Sequence, residues 1–353
     1  MKTAAPIDVL VVDDSAVMRG MLAEIINAQA DLRVVGAAGD PYVAREKIKA
    51  LNPRVLTLDV TMPRMDGITF LEKLMCLRPM PVIMVSSLVK EHADVTLRAL
   101  ELGAVDFVTK PAGHDALALA AFGEEVADKI RAAACARLRL PPGRRAEVAA
   151  GLTGRIPGVR TKGRLIVIGA STGGIDAVRD VLVHMPADAP PILVVQHMPE
   201  LFTAMFAERM DAICRIRVKE AQDGERALPG HAYVAPGHSH MLVERAGAGY
   251  VIRLSQADPV NRHRPSVDVL FHAAAVSAGR DAVGVILTGM GADGAEGIRA
   301  LKRAGAYNYA QSEASCVVFG MPKAAIATGS VDRVAAPAGI AQHLLTLLHE
   351  PPS

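Results

Sequence analysis

From Arg164 to Gly174 the chain reads RLIVIGASTGG. Leu165 to Ile168 are successive apolar residues, the pattern of a strand buried on both faces of a parallel sheet. The run breaks at Gly169, and Ser171, Thr172, Gly173 and Gly174 follow. Ile175, Val178 and Val181 then return at helical spacing. Strand, small-residue turn and helix with a serine at the apex is the layout of a nucleophile elbow, and Gly169 to Gly173 fits G-x-S-x-G. Glycines let the backbone turn sharply and keep side chains clear of the serine. A helix N-terminus adds N–H groups and a positive dipole end suited to an oxyanion. The motif alone does not separate this reading from a plain turn or a phosphate-binding loop. The turn lacks the spacing of G-x-G-x-x-G, and no Lys-Ser/Thr follows its glycines, so it is neither a dinucleotide fingerprint nor a P-loop.

Two further buried runs flank this stretch in the second half. Pro191 to Gln196 ends at His197, and Ala282 to Leu287 leads into Thr288-Gly-Met-Gly-Ala-Asp293-Gly. Shorter strand-like segments lie at 232–236, 241–244 and 251–254, with helical patterns at 266–278 and 294–304. The pattern predicts a second α/β domain with a mainly parallel sheet. Three strands thus end in serine, histidine and aspartate. A serine hydroxyl needs a base, histidine titrates in the range to serve as one, and an aspartate fixes the imidazole tautomer. For Asp293 in a Gly-rich turn, helix capping is the competing reading. The order Ser…His…Asp also differs from the Ser…Asp…His order of α/β-hydrolases. His238 and His240 form an H-x-H pair without accompanying carboxylates or cysteines, so no metal is expected in this half.

The first half alternates strand-like runs with amphipathic helical stretches. Runs at 9–12, 32–37, 55–58, 81–85 and 105–108 predict a five-stranded, doubly wound parallel sheet of flavodoxin-like type. Ser15 is placed to cap the first helix, and Asp40-Pro41 gives the second an N-cap with proline at its first position. Asp13, Asp14, Asp59, Ser86 and Lys110 all fall at carboxyl ends of strands, the ligand-binding edge of such a sheet. Carboxylates converging there repel unless a cation intervenes, and hard oxygen donors suit Mg²⁺.

The boundaries read as 1–130 for the first domain, 131–163 for a flexible linker and 164–349 for the second domain. The linker is rich in Arg, Gly, Ala and Pro without sustained periodicity, and reads as a solvated connector. The chain has 353 residues, 51% of them hydrophobic, and a formal net charge of +2. That balance argues neither for nor against a polyanion, but the second domain carries no helix-turn-helix or other DNA-binding motif, and no nucleic-acid partner is expected. Four scattered cysteines without C-x-x-C point to reduced thiols. The N-terminal apolar run is short and ends in two aspartates, unlike a signal peptide, and no run approaches a membrane span. A cytoplasmic protein without membrane insertion is expected.

VVDDS (11–15), LDVTMPRMDG (58–67), MVSS (84–87) and DFVTKP (106–111) resemble the response-regulator receiver family. The resemblance implies phosphorylation of Asp59 by a chemotaxis histidine kinase. It implies Mg²⁺ held by Asp13 or Asp14, Asp59 and the Thr61 carbonyl. It further implies Lys110 and Ser86 on the phosphoryl group, Phe107 as a reorienting aromatic, and a cis Lys110-Pro111 bond. IGASTGG (168–174), VVQHMP (194–199), RPSVDVLF (264–271), LTGMGADGAEG (287–297) and AQSEASCVVFGMP (310–322) resemble the chemotaxis protein-glutamate methylesterase family. This second resemblance implies Ser171 as nucleophile, His197 as general acid/base, Asp293 as its partner, and backbone oxyanion donors, with Thr172 and Met290 as candidates. It implies no cofactor in this domain. The implied substrates are glutamate methyl esters, and certain glutamines, on methyl-accepting chemoreceptors. Asn261-Arg262-His263-Arg264 is read as a loop near this site.

Overall fold

A computed structural model describes residues 5–87, 90–111, 115–138 and 163–349. The chain divides into two compact units, Met1–Arg144 and Arg145–Ser353. Most of the expected linker, 139–162, lies outside the described residues.

The first unit runs β1 (Ile7–Val12), α1 (Ala16–Asn27), β2 (Leu32–Ala38), α2 (Pro41–Leu51), β3 (Val55–Asp59), α3 (Gly67–Leu77), β4 (Val82–Ser87), α4 (Lys90–Glu101), β5 (Asp106–Lys110) and α5 (Ala116–Ala134). Its strands form one parallel sheet in the order β2-β1-β3-β4-β5. The chain starts inside the sheet and reverses direction between β2 and β3, which opens a crevice at the carboxyl end of β1. Both expected caps are present. Ser15 Oγ accepts from the Met18 N–H, and Asp40 Oδ1 accepts from the Tyr42 and Val43 N–H groups. β1 and β3 are buried over nearly their whole length, as a strand covered by helices on both faces must be.

The second unit runs β6 (Leu165–Ala170), α6 (Gly174–Leu182), β7 (Ile192–Gln196), α7 (Glu200–Ile213), β8 (Arg217–Glu220), β9 (Arg226–Ala227), β10 (His231–Val234), β11 (His240–Ala246), β12 (Gly249–Ser255), α8 (Val267–Ser277), β13 (Ala282–Ile286), α9 (Ala295–Arg303), β14 (Tyr307–Gln311), α10 (Met321–Ala327), β15 (Arg333–Ala335) and α11 (Pro337–His349). Seven strands form a parallel sheet, β15-β14-β13-β6-β7-β10-β8, and β11-β12-β9 form a separate antiparallel one. The chain enters at the central strand β6, winds out through β7, and returns to β13 on the other side of β6. The carboxyl ends of β13, β6 and β7 are therefore neighbours at the switch point of the sheet. α8 packs directly on β6. A Cβ at Gly169 would lie 2.2 Å from Val267 Cγ1, so this glycine serves helix-on-strand packing.

Among the described residues the one cis peptide bond joins Arg264 and Pro265. The expected cis Lys110-Pro111 bond is not found. Trans is the lower-energy form of an X-Pro bond unless the surroundings impose the other.

Candidate active site and acidic pocket

In the first unit β1, β3 and β5 deliver their charges to one point. Lys110 Nζ lies 2.8 Å from Asp13 Oδ2 and 2.9 Å from Asp59 Oδ1. Asp13 and Asp59 are buried while Asp14 is exposed. Arg19 holds the turn by donating to the Asp13 and Asp14 carbonyls. Burial pushes the Asp59 carboxyl above its ordinary value. Lys110 opposes the rise, Asp13 adds to it, and the Thr61 N–H lowers it. For Lys110, burial acts downward but is outweighed by the bonds and charges of Asp13 and Asp59, which raise it. Thr61 thus reaches Asp59 through its N–H. Ser86 is buried, and its hydroxyl accepts from Thr96 Oγ1 at 3.1 Å. Phe107 is buried with Lys129 Nζ 5.1 Å from its ring centroid.

The carboxylates of Asp13, Asp14 and Asp59 present oxygens within 4.8 Å of one another. Such a set of hard donors fits a divalent cation with several retained waters. Bound there, Mg²⁺ would supply positive charge against an incoming phosphoryl group. The expected result is that Mg²⁺ at ten times its Kd raises stability by about 1.4 kcal/mol. Thermal unfolding checks this, and Asp13→Asn is expected to remove most of the gain.

In the second unit the register brings the serine and histidine together. Ala170 pairs with Gln196, so Ser171 and His197 leave paired positions on adjacent strands. The His197 N–H donates to the Ala170 carbonyl at 3.0 Å, and the Ser171 N–H donates to the Thr288 carbonyl at 3.0 Å. Gln196 Nε2 donates to the Ser171 carbonyl at 2.9 Å. A Cβ at Gly174 would fall 2.0 Å from Gln196 Oε1. Glycine is therefore required where α6 begins against this side chain. Met290 lies beyond β13, between Gly289 and Gly291, and the Thr172 carbonyl accepts from Thr288 Oγ1 at 3.0 Å.

His197 Nε2 and Asp293 Oδ2 are 2.8 Å apart, with both side chains nearly covered. Asp293 Oδ2 also accepts from the Val267 N–H at 2.7 Å. Its Oδ1 accepts from Asn261 Nδ2 at 2.7 Å, Ser266 Oγ at 2.8 Å and the Asp268 N–H at 3.2 Å. Asp293 pairs with His197 Nε2 and accepts from the first N–H groups of the remote helix α8, whereas α9, the helix that follows it, starts at Gly294 without a side-chain cap. Burial alone would raise its carboxyl. The hydrogen bond and charge of His197, then Asn261 and the Val267 N–H, hold it far below the usual range. An anion against Nε2 keeps a proton on that nitrogen and leaves Nδ1 as the basic site. Nδ1 is buried and has no hydrogen-bond partner among the described residues.

Three supports were not read from the sequence as site residues. Asn261 bridges Asp293 and Asp268, Ser266 bonds Asp293, and Gln196 braces the elbow. In the 261–264 loop Asn261 bonds inward to Asp293 and Asp268, whereas Arg264 donates to the Gln256 and Ala257 carbonyls and, like Arg262, is exposed. Asp268, whose carboxyl is raised mainly by burial, accepts from the Gly297 N–H at 2.6 Å. Only the RPSVDVLF string hinted at Ser266 and Asp268.

Together the units define a two-part α/β protein. One part is a receiver fold with an acidic pocket. The other is a doubly wound domain with serine, histidine and aspartate at neighbouring strand ends. Residues 166–344 match the family described as CheB methylesterase, and residues 9–122 match the response regulator receiver domain. A protein-glutamate methylesterase/protein-glutamine glutaminase of Nitrosomonas europaea is 60% identical over 97% of this chain and 96% of its own. One of Geobacter metallireducens is 60% identical over 94% of this chain and 93% of its own. The crystal structure of the Thermotoga maritima CheB methylesterase catalytic domain is 39% identical, with a TM-score of 0.52, over 52% of this chain and 98% of that one. The chain belongs to the CheB methylesterase family and carries that family's receiver domain.

Proposed function

We propose that this protein hydrolyses glutamate γ-methyl esters, and deamidates certain glutamines, on chemoreceptors in the cytoplasm. Ser171, His197 and Asp293 would act as a catalytic triad under control of phosphorylation at Asp59. The observation that carries the reading is the pairing of His197 Nε2 with a buried, five-times-bonded carboxylate, at the position level with Ser171 on the adjacent strand.

Ser171 Oγ attacks the ester carbonyl carbon while His197 Nδ1 takes the hydroxyl proton. The carbonyl oxygen becomes an oxyanion, for which the backbone N–H groups of Thr172 and Met290 are the candidate donors. One such donor is worth roughly 2.7–4 kcal/mol of barrier. Collapse breaks the bond to the methoxy oxygen, which leaves as methanol with the proton from His197. Water then attacks the glutamyl-serine ester, passes a proton to Nδ1, and Ser171 leaves with that proton. The product is free glutamate. With a glutamine substrate the leaving group is ammonia, and the same acyl-enzyme follows. Asp293 remains ionised and stabilises the transient imidazolium.

At the other unit a chemotaxis histidine kinase would donate a phosphoryl group to an Asp59 oxygen, with Lys110 balancing its charge and Ser86 bonding it. A doubly charged group at a buried site alters packing and electrostatics around β4 and β5, where Phe107 lies. Methanol release from methylated receptor membranes is expected to rise on adding acetyl phosphate and Mg²⁺. Asp59→Asn is expected to abolish that rise. An undiminished rise in the variant would remove Asp59 as phosphoacceptor.

A further inference from the structure

The ring of His263 lies on the ring of His197, with centroids 3.8 Å apart and planes 9° from parallel. The segment carrying it is unusual. Val260 and His263 exchange both backbone hydrogen bonds, at 3.0 and 2.9 Å, across Asn261 and Arg262. Both central residues have positive φ, 54° and 66°. A tight turn of this kind prefers Asn-Gly. Arginine at its second position is strained and persists only where the surroundings over-determine it. The surroundings here are the candidate active site. Asn261 reaches Asp293 and Asp268, and His263 covers His197.

We propose that His263 is a positioning residue whose flat ring fixes the plane of the His197 imidazole, keeping Nε2 on Asp293 and Nδ1 available to Ser171. The proposal rests on the triad reading given above. The hydrogen bond that His197 Nε2 donates to Asp293 fixes one atom of the ring but leaves the ring free to rotate about that contact. A parallel ring at van der Waals distance removes this freedom. The stack also suits the charge that develops. When His197 takes the serine proton, a neutral aromatic face lies against the new cation, which is favourable. A second cation there would repel it. Burial, and His197 beside it, push His263 down to about 4, so it is neutral around pH 7.

A metal site does not account for the arrangement. His197, His263 and Asp293 offer ligand atoms within 4.8 Å. Imidazole lone pairs lie in the ring plane, however, and in two nearly parallel stacked rings they run side by side instead of converging on one ion.

The test is kcat and KM for methanol release by the full-length protein carrying His263→Ala, His263→Leu or His263→Phe, with Ser171→Ala alongside. Phenylalanine keeps a flat ring without ionisable nitrogens. Leucine fills space without one. His263→Ala and His263→Leu are expected to lower kcat about 30- to 100-fold with KM within twofold, the scale of a small misplacement of a reacting group. His263→Phe is expected to recover kcat to within about fivefold of the parent; its shortfall reflects the lost bond to the Asn261 backbone. Thermal melts establish that each variant is folded, and the Phe–Leu comparison stands if alanine is not tolerated. The proposal is overturned if His263→Leu keeps parental kcat, if His263→Phe is as slow as His263→Leu, or if KM carries the loss. An active Ser171→Ala would overturn the triad itself. An inert Ser171→Ala beside a fully active His263→Leu would sink the positioning role alone.

Discussion

Replacing Ser171 by alanine is expected to lower methanol release from methylated receptor membranes by on the order of 10⁶-fold, the loss measured for a serine-protease nucleophile. Ser171 is tied in through its backbone: its N–H donates to the Thr288 carbonyl, and its own carbonyl accepts from Gln196 Nε2 and the Gly174 N–H. Alanine keeps all three, so the fold at the elbow is retained and the loss appears in kcat. Without Oγ no glutamyl-enzyme ester forms, and rapid-quench mass spectrometry of the variant is expected to show no acylated protein. Any remaining rate comes from the surrounding dipoles acting on a bound ester attacked by water. If the variant turns over normally, the Gly-flanked turn is a packing device and the nucleophile lies elsewhere. Deamidation is expected to fall with demethylation, because both reactions pass through the same acyl-enzyme. A variant that loses one and keeps the other would separate the two chemistries.

The sequence showed most of the architecture because the decisive strands are buried on both faces and read as unbroken apolar runs. β1, β3, β6, β7 and β13 are of this kind, and the sheet topology gathers the polar residues at or beyond their carboxyl ends. β14 is different. YNYAQ at 307–311 has no apolar run, yet it is an interior strand of the parallel sheet. Asn308 is buried there because its side-chain amide donates to the Ile298 and Ser330 carbonyls, and Gln311 joins Ser315 to the Thr288 N–H. A buried polar side chain is tolerated when partners are supplied, and two of these, Ser330 and the Thr288 N–H, lie more than twenty residues away. The edge strands β8 and β15 are short and partly exposed, so they carry little pattern. Ser171 and His197 stood out as candidates because each directly follows a buried strand, and Asp293 because it lies in the Gly-rich loop between β13 and α9. Their supports did not stand out. Asn261 meets Asp293 across 32 positions, and His263 meets His197 from a different loop. Local spacing carries no record of such contacts. A turn aspartate before a helix ordinarily caps that helix, but Asp293 leaves α9 uncapped and its carboxylate accepts from the first N–H groups of α8 while it holds the imidazole, a contact that local spacing does not record.

That double duty makes Asp293→Asn the second large effect. An asparagine oriented to donate its amide to His197 Nε2 would favour the tautomer with the proton on Nδ1, the nitrogen that must act as base. A wrong tautomer with intact geometry costs roughly 10⁴-fold in kcat in the serine-protease case. The same order is expected here, with little change in KM. Stability should fall as well, because the start of α8 loses its anion, an effect of about 0.3–2 kcal/mol. The pH dependence has a defined sign. The folded-state carboxyl of Asp293 is held below its unfolded value of about 3.9. Its stabilising contribution is therefore complete above roughly pH 4 and is lost as pH falls below that value. The stability gap between the parent and Asp293→Asn, followed by denaturant titration, should be present above about pH 4 and shrink as the solution is acidified below it. Divergence on acidification would mean that the carboxylate is not held by the donors around it. Full turnover by Asp293→Asn would mean that His197 takes its tautomer from some other group. A variant that is unstable yet fully active would leave Asp293 as a helix cap and nothing more.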